Sequence, residues 1–123
     1  MGTRSRIACR QTDGTIRSIY CHWDGYLDGV GQTLLKHYRD LDTLTRLLDR
    51  GDRSTLEDSP EEGMAYLDRG EDCPALVSET REELSGIEMG EEYLYLYEPA
   101  SNEWFVRETR SEADWFKLFE VSE

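Results

Sequence analysis

The chain has 123 residues and a net charge of −13, enough length for one domain with its own core and too acidic for a phosphate-backbone partner, which needs a basic footprint. No apolar run approaches the about 20 residues that cross a bilayer. Three cysteines without CxxC spacing, beside two histidines, argue against a disulfide framework or a soft metal site. The expectation is a single domain over residues 1–123, reduced and intracellular, with no signal peptide, no metal and no cofactor.

Charge is unevenly spread. Residues 1–55 hold nine Arg/Lys against seven Asp, whereas residues 56–123 hold five against twenty Asp/Glu. The first half can therefore hold an anion that the second half repels. Arginine supplies twelve of the fourteen cations, the side chain suited to bidentate recognition of phosphate or carboxylate, although codon bias in a GC-rich genome gives the same count.

In chain order, residues 3–11 and 16–23 read as strands, and Asp13-Gly14 between them is a hairpin signal. A two-residue Asp-Gly loop pairs Thr12 with Thr15. That register puts Ile7, Cys9, Ile16, Ser18, Tyr20 and His22 on one face, and Arg4, Arg6, Ala8, Arg10, Arg17, Ile19, Cys21 and Trp23 on the other. A one-residue bulge reverses the assignment. Gly25, Gly29 and Gly31 then lead into a helix expected over about residues 30–39, carrying Leu34, Leu35 and Tyr38. Asp42 is expected to cap a second helix over residues 43–50, whose Leu44, Leu47 and Leu48 face the core and which Gly51 stops.

Residues 51–63 read as a polar surface loop and residues 64–67 as a short strand leading to Arg69. Thr80 and Glu83 form a capping-box pattern before a short helix. Tyr93 to Tyr97 and Trp104 to Arg107 alternate around a Pro99–Asn102 turn and give a second hairpin. Ser111 and Asp114 are expected to cap a last helix holding Trp115, Phe116, Leu118 and Phe119. Together these predict a small α+β domain, an antiparallel sheet of two hairpins with helices packed mainly on one face.

The densest chemistry lies in Tyr20-Cys21-His22-Trp23-Asp24-Gly25-Tyr26. His22 and Asp24 are spaced to share one side of a continuing strand, which suits a general base oriented by a carboxylate and equally a structural hydrogen bond bracing the turn. Arginines with Trp23, His22 with Tyr26 and a glycine-rich approach to a helix are the parts a nucleotide-like ligand needs. The candidate ligand-binding set is Arg4, Arg6, His22, Trp23, Asp24, Tyr26 and Arg69. Arg69 serves equally as a surface ion-pair partner for its carboxylate neighbours. No catalytic residue is assigned.

Met1-Gly2-Thr3-Arg4-Ser5-Arg6, Ser18-Ile19-Tyr20-Cys21-His22-Trp23-Asp24-Gly25-Tyr26, Gly29-Val30-Gly31 and His37-Tyr38 resemble a group of small proteins encoded by bacteriophages and prophages. The likeness covers residues 1–55, with looser similarity around Tyr66 to Glu71 and Glu92 to Leu96. Leu27 departs from the proline usual there. Phage accessory proteins of this kind include inhibitors of bacterial immunity, among them sponges that sequester cyclic-nucleotide or ADP-ribose-type signals. The resemblance implies a phage origin and a place in the host cytoplasm. The expected function is sequestration of a small anionic nucleotide-like ligand by a homo-oligomer, without nucleic-acid or membrane partners. An acidic protein–protein inhibitor of a host factor, or a small nucleotide hydrolase using His22 and Asp24, are the alternatives.

Overall fold

A computed structural model describes residues 3–23, 25–62, 65, 74–87, 91–109 and 115–118. Asp24, Arg69 and Cys73 lie outside the described residues, as does most of the expected strand at 64–67. The fold is α+β. Strands β1 (Ser5–Arg10), β2 (Ile16–Cys21), β3 (Leu76–Ser78), β4 (Tyr93–Glu98), β5 (Glu103–Glu108) and β6 (Phe116–Lys117) form one sheet in the order β3-β2-β1-β4-β5-β6. Both expected hairpins form, β1 with β2 and β4 with β5, and they meet through a parallel β1–β4 pairing at the centre of the sheet.

The first hairpin closes one residue differently from the expected register. Gln11 N donates to Thr15 O at 2.7 Å, Gly14 N to Gln11 O at 3.0 Å, and Gly14 sits at φ +90°. The loop is therefore Thr12-Asp13-Gly14, a type I turn followed by a left-handed glycine, which Asp13 braces by accepting from Thr15 N and Oγ1. Arg10 then pairs with Ile16 and Arg6 with Tyr20. Every β2 side chain changes face relative to expectation.

One sheet face carries Ile7, Cys9, Ile19, Cys21, Tyr95, Tyr97, Trp104 and Val106 in the main core. It is covered by a π-helical turn (Leu27–Gly31), α1 (Gln32–His37) and α2 (Leu41–Asp49). Leu34, Leu35, Leu44, Leu47 and Leu48 are buried there as expected. The cap of α2 is Asp40 rather than Asp42: its carboxylate accepts from Thr43 N at 2.6 Å, so the helix starts two residues early. Gly51 ends it at φ +73°. The opposite face holds a smaller core of Ala8, Ile16, Leu84 and Leu96 under α3 (Arg81–Ser85), where Thr80 Oγ1 accepts from Glu83 N at 3.1 Å.

The expected terminal helix is not formed at Phe116–Lys117, which instead pair with Val106 and Phe105 as β6. Phe116 and Leu118 stand two apart, the strand period rather than the helical one, and the free edge of β5 offers ladder bonds such as Leu118 N to Trp104 O at 2.9 Å. The capping residues Ser111 and Asp114 lie outside the described residues. Among the described residues, no helix is long and apolar enough to cross a membrane.

Candidate functional site

The end of β2 is fixed by a segment that reads as a plain surface loop in the sequence. Arg53 N donates to Tyr20 O at 2.8 Å, His22 N to Arg53 O at 3.1 Å and Trp23 N to Ser54 O at 2.9 Å, so residues 53–54 run parallel to the strand end. Arg53 is fully buried. Its guanidinium gathers three carbonyls of the following loop, those of Thr55 (2.5 Å), Pro60 (3.3 Å) and Glu62 (2.5 Å). Five donors in a rigid fork allow this, and an unpaired buried cation would not persist. Beside it, Asp52 Oδ1 accepts from Tyr20 N at 2.8 Å. Burial raises the Asp52 pKa against the pull of that hydrogen bond and of Arg6.

Gly25 holds the next turn against β1. Its N–H donates to Thr3 O at 2.8 Å, and a Cβ there would lie 2.8 Å from both Thr3 O and Ser5 Cβ. The glycine is thus required by close approach to the chain's own first strand. From the far side, buried Tyr95 donates its hydroxyl to Gly25 O at 2.7 Å. The helix approach is the π-helical turn, with Gly29 N and Gly31 N both donating to Tyr26 O, so α1 is entered from an already helical Gly31.

This scaffold leaves Trp23 44% and Tyr26 43% exposed, two of five large apolar side chains in solvent among the described residues. Arg4 is exposed next to the Gly25 contact. His22 stands edge-on to Trp23, ring centres 4.8 Å apart, with Nδ1 2.8 Å from the Tyr20 hydroxyl. Tyr26 lines a cleft of about 220 Å³ with Thr3, Glu92, Tyr93 and Glu108. Burial, aided by Glu108 and Glu92, raises the Tyr93 pKa. The cleft therefore joins aromatic walls to two carboxylates.

The expected face of four arginines around Trp23 does not form. Arg6 is 1% exposed, its Nε donating to Glu91 Oε2 at 2.6 Å and its Nη1 to Ser18 Oγ at 3.1 Å, so it is enclosed within the protein rather than presented to a ligand. Arg10 pairs with Glu98 and Arg17 with Asp49 on the other face of the hairpin. The one-residue difference in the hairpin loop is the cause. Arg4, His22, Trp23 and Tyr26 are brought to one end of the sheet, whereas Asp24 and Arg69 lie outside the described residues. Cys21 is a buried core residue, its thiol donating to Trp23 O and Ser54 O. Cys9 is likewise inert, burial pushing its pKa up to about 12.

Sequence reasoning misses Arg53 and Tyr95, which position this site from fully buried places, and Glu91, which pairs with the enclosed Arg6. Tyr95 had a partial signal, its place in the Tyr93/Tyr95/Tyr97 alternation; Arg53, in a polar stretch, had none. Among the described residues no group of three or more His, Cys, Asp and Glu is placed to hold a metal. Fold and site together define a small α+β domain with an aromatic turn presented at one end of its sheet. No protein-family model, curated protein or solved structure matches the chain.

Proposed function

We propose that this is a non-catalytic binding protein that sequesters a nucleotide-derived signal, of cyclic-nucleotide or ADP-ribose type, and so blunts a host anti-phage defence. The supporting observation is a pair of exposed aromatics, Trp23 and Tyr26, whose flanking backbone is hydrogen-bonded to residues 3, 53 and 54, with Arg4 exposed at the same end of the sheet. Flat rings stack on such side chains. Arg4 suits a phosphate, and Glu92 and Glu108 in the Tyr26 cleft suit sugar hydroxyl donors. The phage and defence part of the reading rests on the sequence resemblance alone. A homo-oligomer that brings two such turns together would double the cations around one ligand.

The test is to incubate the purified protein with extract of infected, defence-positive cells, re-isolate it, heat it, and identify what is released by mass spectrometry. The expected result is an intact nucleotide-like species in stoichiometric amount. Trp23→Ala or Tyr26→Ala should weaken its binding about 5- to 150-fold, the loss of one stacked base at about 1–3 kcal/mol. A modified product would instead indicate a hydrolase, and unchanged binding in both Arg4→Ala and Trp23→Ala would reject the site.

A further inference from the structure

A second cleft, of about 430 Å³, lies between α3 and β5 and is lined by Arg81, Glu82, Ser85, Arg107 and Trp115. Arg107 and Glu108 are adjacent on β5, so they point to opposite faces: Glu108 lines the Tyr26 cleft, and Arg107 lines this one. Arg81 is pre-organised. Its Nη2 donates to Glu98 Oε2 at 2.7 Å, and its guanidinium lies 5.0 Å from the Phe105 ring centre and 5.5 Å from that of Trp115. Glu98 also takes two hydrogen bonds from Arg10, so the anchor belongs to the sheet. The Arg107 guanidinium, by contrast, has no hydrogen-bond or ion-pair partner among the described residues, although the residue is only partly exposed. A half-sheltered guanidinium with no carboxylate partner among the described residues stands out in a chain of charge −13.

We propose that this cleft binds a nucleoside monophosphate. Arg107 takes the phosphate through two parallel N–H donors, the geometry that its planar fork favours. Ser85 supplies a hydroxyl donor, and the Trp115 ring, partly buried against the smaller core and with the Arg81 guanidinium over it, offers its remaining exposed surface to the base. Arg81 holds the Trp115 side of the cleft in place and adds positive potential. Glu82, exposed on the α3 side of the cleft, accepts from a sugar hydroxyl. The volume lies within the range of small-ligand pockets. This site is separate from the Trp23–Tyr26 turn and neither requires the other.

Titration of the purified protein with adenosine monophosphate, adenosine and inorganic phosphate, followed by calorimetry and by the tryptophan indole N–H resonances, tests it. Adenosine monophosphate should bind saturably and move the Trp115 resonance, with adenosine and phosphate each at least tenfold weaker. Arg107→Gln should weaken binding at least tenfold and Arg107→Lys should recover part of it, while Arg17→Gln, an equal loss of charge on the opposite face, should change nothing. Unchanged thermal melting confirms that Arg107→Gln folds, and Trp115→Leu gives a second lesion that must also weaken binding. No saturable binding, binding indifferent to Arg107→Gln, or a shift at Trp23 alone would overturn the proposal. The last result would place the nucleotide in the other cleft, so the two sites fail separately.

Discussion

Among the described residues, the guanidinium groups of Arg6 and Arg53 are buried out of water, and they are satisfied in different ways. Arg6 has a carboxylate, Glu91, with side-chain exposures of 0% and 1% for the pair; Arg53 has main-chain carbonyls. Removing one member of a buried ion pair strands the other, so Glu91→Gln or Arg6→Met should cost about 3–5 kcal/mol in urea unfolding. The double substitution Arg6→Met with Glu91→Leu should recover most of that loss, because its cost is not the sum of the two. A recovery of nothing would mean the pair is not what holds this end of the sheet. Burial at these two positions is not legible in the sequence. Arg4, Arg6 and Arg10 lie on one strand face at regular spacing, yet the first is exposed, the second enclosed and the third surface-paired. What separates them is the position of Glu91, just before β4, and of Glu98, at its end, far along the chain.

At the scale of elements, local chemistry was readable wherever a signal was self-contained. The Thr80 and Glu83 cap, the leucine stripe of α2, its Gly51 stop and the alternating Tyr93–Tyr97 strand all form as expected. Signals that depend on a neighbour were not. Asp40 and Asp42 are both good caps, and only the observed Thr43 contacts select the first; β3 and β6 exist because β2 and β5 had open edges. The site's turn belongs to this scale too. Gly25→Ala forces a Cβ to within 2.8 Å of a main-chain oxygen, so it should push β1 and the turn apart. The expected cost is about 1–3 kcal/mol of stability, in the range of overpacking. Ligand binding at Trp23 and Tyr26 should fall with it, whereas Gly14→Ala at the hairpin tip, strained but in open space, should lower stability while sparing the site.

Over the whole molecule, Glu98 ties together elements from three parts of the chain, accepting from Arg10 on β1 and Arg81 on α3 while standing on β4. Burial alone would raise its pKa, but the hydrogen bonds and charges of the two arginines outweigh that and hold it below the usual glutamate value. The contribution is therefore present in full above the ordinary glutamate range and is lost as the pH falls through the lowered value. Glu98→Gln should cost about 1–2 kcal/mol near neutrality, less than a fully buried pair because all three side chains are partly exposed. The gap between wild type and variant should close on acidification below pH 4 or so. A constant gap from pH 7 to pH 3 would show that the carboxylate charge is not what matters.

The central β1–β4 pairing also sets an order of events during synthesis. Arg6 meets its carboxylate 85 residues later, and until the chain around β4 emerges from the ribosome the first hairpin has a bare inner edge and lacks the Glu91 carboxylate. Such edges recruit other strands. The chain therefore makes its least protected part first and keeps it waiting longest, and the strongly acidic stretch that follows supplies the like-charge repulsion that keeps nascent neighbours apart meanwhile.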